Sequence, residues 1–253
     1  MSAGDLVLTV LGSATPYPAV DNACSGYLVS HARTRLWLDA GTGTLARLQR
    51  HTRLDELDAI WISHLHADHC ADLLTAYYGL RYADVRLTAP LPLYGPPGIA
   101  DRLASFLTNG PVRSPVEAAF EVHELRDGDE AHVGGLTVRA AAVEHGMPAF
   151  GARIETGGKA LAYSGDTGPC AALTELATGC DLLLCEADGS PSEGPAVHCA
   201  PEDAGRTAAA AGVRQLVLTH VSRFLTPEDA VRRAGGHYRG PIAHAAPGRT
   251  FVI

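Results

Sequence analysis

The stretch IWISHLHADHCADLL at residues 60–74 places His64, His66, Asp68 and His69 within six positions, directly after an apolar run. DAIWIS has strand composition and ADLLTAYYGL has helical composition, so the four residues occupy a strand-to-helix turn. On extended backbone His64 and His66, two apart, point the same way, while Asp68 and His69 begin the helix. One short turn can therefore face two adjacent metal positions. Imidazole and carboxylate suit zinc, manganese or iron, and no thiolate is needed.

A metal-dependent hydrolase needs more ligands than one turn holds. Three further apolar runs each end in a candidate: LTVRAAAVEH delivers His145, ALAYSGD delivers Asp166 and QLVLTH delivers His220. Ligands at the ends of several strands can converge along one rim of a sheet. A polar surface turn would account for residues 64–69 alone, but not for three more strand ends carrying the same donor types. His145, in AVEHGMP, has no spaced partner, and a satisfied histidine at a sheet edge is the alternative there. His31, His51, His123, His132, His237 and His244 lie outside any ligand pattern and read as surface residues. Cys70 follows His69, but one helical step turns it about 100° away from that ligand, so it reads as packing.

The elements that must position these residues follow from apolar runs and turn signals. Strands are expected at 6–11, 26–30, 35–39, 58–63, 91–94, 133–143, 150–155, 160–164, 181–185, 215–219 and 250–253. Helices are expected at 43–51, 69–83, 98–107, 170–178, 201–211 and 226–235. The last has a capping residue in Thr226, Pro227 in the first turn, and Glu228 and Asp229 complementing the dipole. Strands and helices alternate over the whole length, which favours an α/β chain of sheets flanked by helices. No linker or repeat divides residues 1–253, and 253 residues with 46 % hydrophobic content can bury the core of one domain.

Twenty basic against twenty-eight acidic side chains leave a net charge of −8, the wrong sign for a protein that grips a nucleic-acid polymer through its phosphates. The N-terminus has no signal-peptide pattern and no run approaches a membrane span, so a soluble, cytoplasmic protein is expected. The six cysteines are scattered without a C-x-x-C pair and read as reduced, mostly buried thiols.

The succession His64-x-His66-x-Asp68-His69, His145, the SGDT around Asp166 and His220 resembles the metallo-β-lactamase superfamily. So do the opening LTVLGSATPYP, LDAGTG at 38–43 and LAYSGDTG at 161–168. The resemblance implies an αββα sandwich of two mixed β-sheets flanked by helices. It implies that His64, His66 and His145 hold a first divalent ion, Asp68, His69 and His220 a second, and that Asp166 bridges them. Zinc is the leading ion, with manganese or iron as alternatives. In two-metal sites a bound water is acidified and serves as the nucleophile. Asp39 in LDAGTG caps the next helix on its own reading, and by the resemblance also supports the ligands from behind.

Within the superfamily the chain looks most like the tRNase Z and phosphodiesterase branch. His198 in HCAPEDA and Glu186 in LLLCEAD match that branch, and with Asp68 they are the candidates for catalysis. His198 would contact a phosphate oxygen or protonate the leaving group. Arg223, beside the last ligand in LTHVSR, either binds an anion or covers the surface. Nothing between 100 and 160 resembles the Gly- and Pro-rich basic arm with which tRNA-processing members grip tRNA. The chain is closer to arm-less members, among them atypical cyclic-nucleotide phosphodiesterases. The expected activity is a metal-dependent phosphodiesterase on a small phosphoester such as a 3′,5′-cyclic nucleotide. A lactone or thioester hydrolase, a tRNase Z-like endoribonuclease and a non-catalytic binding member are the alternatives. A second copy of the chain is the expected macromolecular partner, and no membrane is expected.

Overall fold

Leucine- and β-branched-rich runs build the strands, and the computed structural model describes residues 4–83, 87–189 and 196–253. The first half runs β1 (Leu6–Ala14), β2 (Ala23–Cys24), β3 (Gly26–His31), β4 (Thr34–Leu38), α1 (Thr44–Leu48), β5 (Ala59–Trp61), α2 (Ala67–Cys70), α3 (Asp72–Tyr82), β6 (Leu91–Gly95), α4 (Ile99–Leu107) and β7 (Phe120–Glu124). The second runs β8 (Glu130–Val133), β9 (Leu136–Ala142), β10 (Phe150–Thr156), β11 (Lys159–Tyr163), α5 (Ala171–Ala177), β12 (Leu182–Glu186), α6 (Pro201–Ala211), β13 (Gln215–Thr219), α7 (Pro227–Gly235), β14 (Ile242–His244) and β15 (Thr250–Val252).

One sheet has the order β15-β1-β3-β4-β5-β6-β7 with β2 beside β1, and the other β14-β13-β12-β11-β10-β9-β8. Both are mixed: β1, β3 and β4 pair antiparallel and β4, β5, β6 and β7 parallel, while β8 to β11 pair antiparallel and β11 to β14 parallel.

Side-chain alternation decides which way each strand faces. In β5, Ala59 and Trp61 enter the core between the sheets and Ile60 points out under the helices. The inner core joins Leu8, Tyr27 and Trp61 of the first sheet to Val138, Ile154 and Leu184 of the second. Outside the first sheet Trp37, Leu73 and Leu103 fill the space beneath α3 and α4. Outside the second, Leu173, Ala204, Ala208 and Ala230 of α5, α6 and α7 pack on Leu183 and Leu216. The result is the αββα sandwich, and none of the helices among the described residues is long and apolar enough to cross a membrane.

Parallel pairing levels the strand ends that matter. Leu38 stands opposite Trp61, Tyr163 opposite Leu184, and Glu186 opposite Thr219. Asp39, Asp166 and His220, each just past its strand, therefore reach the same rim. The strand expected over 133–143 is β9 at 136–142, with Val133 ending the preceding β8 across a turn at Gly134, whose φ of +53° glycine adopts readily. The segments β2, β7 and β14 carry no strand signal strong enough to predict them. α7 starts as expected, with the Thr226 hydroxyl accepting from the Asp229 amide at 3.1 Å.

Candidate metal centre

The site is built outward from Asp39, which is buried and leaves β4 with a φ of +56°. Non-glycine residues hold such left-handed values where surrounding contacts over-determine them. Here the contacts are four donors: the Ser63 amide (2.7 Å), the Ser63 hydroxyl (2.7 Å), the Tyr163 hydroxyl (2.6 Å) and His69 Nδ1 (2.7 Å). Ser63 and His69 belong to the turn that precedes and opens α2, and Tyr163 to the opposite sheet. One carboxylate thus ties both sheets together behind the ligand turn.

The tie also assigns the His69 tautomer. With Nδ1 donating to Asp39, Nε2 is left to face Asp166 Oδ1 at 3.3 Å and Asp68 Oδ2 at 3.7 Å. His145 is set the same way, its Nδ1 donating to the Val197 carbonyl at 2.9 Å. Its Nε2 lies 3.1 Å from His66 Nδ1, which is 3.0 Å from His64 Nε2. Three imidazole nitrogens so converge on one point.

Asp166, past the end of β11, stands between the groups. Its Oδ2 lies 3.6 Å from His64 Nε2, 3.3 Å from His220 Nε2 and 3.9 Å from both His145 Nε2 and His198 Nδ1. Asp68 Oδ2 is 3.4 Å from His220 Nε2. The donor atoms fall into three clusters, His64/His66/His145/Asp166, Asp68/His69/His220 and Asp166/His198/His220, each spanning no more than 4.8 Å. Of the seven residues expected to ligate metal, the structure brings all to this rim.

Do these residues fit divalent ions? His69 Nε2 and Asp166 Oδ1 are buried, face each other at 3.3 Å and make no hydrogen bond among the described residues, which is costly unless something else satisfies them. The ion-pair contacts of Asp68 and Asp166 among the described residues are all to histidines, with no Lys or Arg to balance the buried carboxylates. Buried anions without basic partners call for cations, and nitrogen and oxygen donors at these spacings suit zinc-like ions. The donor set fits.

The protein's own groups polarise the site accordingly. Burial, then the neighbouring His69, pushes His64 well below the usual imidazole range, and burial likewise lowers His145. Both keep free lone pairs. Burial would also lower His69, but Asp166 and Asp39 overturn it and hold it well above the usual range. Burial would raise Asp166, yet His220 and His69 hold it well below the carboxylate range.

At the mouth, His198 is about one-third exposed in its side chain, and its Nδ1 lies 3.0 Å and 3.2 Å from the two oxygens of buried Glu186. Glu186 Oε1 also accepts from the Thr167 amide at 2.6 Å. Burial, then Asp166, pushes Glu186 well above its ordinary range. The His198 ring stacks on His220 at 5.5 Å, so its position is set by the ligand cluster. Sequence reasoning missed Asp188, whose Oδ2 is 3.9 Å from His220 Nδ1. The signal was slight: Asp188 follows Glu186 by two, just past the end of β12. The six remaining histidines join no metal-binding cluster among the described residues, and Cys70 packs into the core beneath the helices.

A profile described as a beta-lactamase superfamily domain matches residues 34–221. The chain belongs to that superfamily. An uncharacterised superfamily relative from Mycobacterium tuberculosis is 38 % identical, with 97 % of this chain and 92 % of the relative covered. A protein named ribonuclease Z from Myxococcus xanthus is 29 % identical over 98 % of both chains. That alignment runs over 304 positions, more than the 253 residues here, so the relative carries segments without a counterpart in this chain. Among solved structures, the metallo-beta-lactamase fold protein YhfI from Bacillus subtilis superposes with a TM-score of 0.87 at 24 % identity, covering 98 % of this chain and 100 % of its own. This member of the superfamily is thus a metallo-hydrolase by fold and donor set.

Proposed function

We propose that the protein is a dinuclear phosphodiesterase acting on a small phosphodiester, with a 3′,5′-cyclic nucleotide as the leading substrate. In this reading His64, His66 and His145 would hold one ion and Asp68, His69 and His220 the other, with the Asp166 carboxylate lying beside both sets. Zinc is the leading ion. Two such ions supply an activated water and positive charge against which a phosphoryl group builds up negative charge.

The observation that carries the reading is the His198–Glu186 pair at the mouth. With Nδ1 committed to Glu186, His198 offers Nε2 to a phosphoryl oxygen or, protonated, delivers a proton to the departing alkoxide. Glu186 orients the ring. A thioester, whose thiolate departs readily, needs such an acid less, whereas a lactone also expels an alkoxide and is told apart only by the substrate panel. The likeness to ribonuclease Z supports phosphodiester chemistry, while the charge of −8 points away from tRNA itself.

The test is a panel of phosphodiesters, lactones and thioesters given to the metal-loaded protein, together with His198→Ala. The variant is expected to keep both ions and lose about 10²-fold or more in kcat on the best phosphodiester. Unchanged turnover would reduce His198 to a structural role, and preference for lactones or thioesters would replace phosphodiester by carbonyl chemistry.

A further inference from the structure

Directly beyond His220, the segment Val221–Leu225 faces the loop that leaves β1, and between them lies a cleft of about 190 Å³. Its walls include Ser13, Thr15, Tyr17 and Asn22 on one side and Ser222 and Arg223 on the other. Among the described residues no carboxylate lines it, although the chain as a whole is acidic. The Arg223 guanidinium sits over the Tyr17 ring, 4.6 Å from its centroid, and has no carboxylate partner among the described residues. Tyr17 itself is half exposed.

The loop carrying Tyr17 is pinned at its base. The Ser13 amide donates to Asn22 Oδ1 at 3.0 Å, Ala19 and Asn22 exchange backbone hydrogen bonds, and Arg47 donates to the Asp21 carbonyl at 2.6 Å. On the other wall the Ser222 amide donates to the Asp188 carbonyl and the Phe224 amide to the Ser222 hydroxyl, both at 3.2 Å. Both walls are therefore ordered before any ligand arrives. A guanidinium set over an aromatic ring can carry a second planar group, because it is itself planar, delocalised and weakly hydrated. Hydroxyl and amide groups around it suit sugar hydroxyls and the edges of a base, while Val221, Leu225 and Pro227 give the cleft an apolar side for the ring itself. The volume lies below the 300–1,000 Å³ usual for drug-sized ligands, so it takes one ring system rather than a polymer.

We infer that this cleft is the nucleoside subsite of the enzyme, with the base stacked on the Tyr17–Arg223 platform while the phosphate lies at the metal cluster. The inference rests on the phosphodiesterase reading for the placement of the phosphate, and it adds the residues that select a nucleotide over other diesters.

The experiment compares the binding of AMP and of inorganic phosphate to the zinc-loaded full chain by calorimetry. Phosphate reports the metal cluster alone, and the ratio of the two affinities reports the subsite. Stacking of one base leads us to expect AMP to bind the wild type about tenfold or more tightly than phosphate. Arg223→Ala and Tyr17→Ala should each bring AMP to within about twofold of phosphate without weakening phosphate. Tyr17→Phe, which keeps the ring, should retain the preference. Equal affinity of the wild type for both ligands, or a preference that survives both alanine variants, would overturn the subsite. A preference abolished by the variants in a protein that hydrolyses no phosphodiester would instead uphold the subsite and remove the phosphodiesterase reading.

Discussion

Asp39 shows how much a single non-ligating side chain can decide. Its carboxylate satisfies three residues at once, Ser63, His69 and Tyr163, and orients the His69 ring by holding its Nδ1. Removing it leaves buried donors unpaired, each at roughly 1–3 kcal/mol, and frees the His69 ring to rotate. Asp39→Ala is therefore expected to weaken metal binding at the Asp68/His69/His220 cluster by about 10–100-fold, while the His64/His66/His145 cluster keeps its ion. Titration with a chromophoric metal would show two affinities separating; an unaltered pair would reduce Asp39 to a helix cap. Asp166→Ala makes the contrast, because Asp166 reaches both clusters: bound metal and hydrolysis should fall together, and two ions retained per chain on elemental analysis would exclude a shared ligand. The residues of the candidate metal centre were legible as donor types at strand ends. The role of Asp39 was not legible from its own surroundings, since LDAGTG reads equally as a turn entering α1, and neither its positive φ nor Tyr163 on the other sheet leaves a local mark.

At the scale of elements, the site depends on how closely the loop after β4 approaches the turn that opens α2. Gly41 lies against the Asp68 carbonyl, and a Cβ there would collide with that oxygen and with the Ser25 carbonyl. The Ala40 amide donates to the His69 carbonyl at 2.7 Å and the Asp72 amide to the Ala40 carbonyl at 2.8 Å, so the two segments cannot part freely. Gly41→Ala should therefore shift Asp68 and His69, cost about 1–3 kcal/mol of stability and lower metal occupancy. Thermal melts with and without zinc would check this, and a variant with wild-type stability and two bound ions would show that the turn can yield. The long apolar strands and the helices were readable from periodicity because burial on two sides leaves near-continuous runs. The short edge strands were not: β7 has the burial of a half-exposed strand with three polar residues in FEVHE, and β14 contributes only three residues. The β8–β9 turn had a signal in its Gly134–Gly135 pair. The apolar run on either side outweighed it.

For the molecule as a whole, charge decides what can be bound. Precursor tRNA would have to be held by several Lys or Arg contacts to phosphates, each adding about 0.9 to the slope of log affinity against log salt. Of the twenty basic residues, Arg53, Arg113, Arg153, Arg206, Arg214, Arg232 and Arg233 are already paired with carboxylates on the surface. The remainder act against a net charge of −8. A small diester asks for much less: its single negative charge can be met by the metal cluster and His198, and its one ring system by the platform of Tyr17 and Arg223. Such contacts are short-ranged and partly buried, where salt screens weakly. Hydrolysis of a 3′,5′-cyclic nucleotide should accordingly change only a few-fold in kcat/KM between about 50 and 200 mM salt, a range over which a binder making 6–10 phosphate contacts loses roughly 10³–10⁵ in affinity. Under the same conditions precursor tRNA should remain uncut. Trimming of tRNA that is efficient at low salt and collapses as salt rises would mean that the surface gathers more phosphates than its charge allows, and the ribonuclease Z reading would then displace the small-diester one.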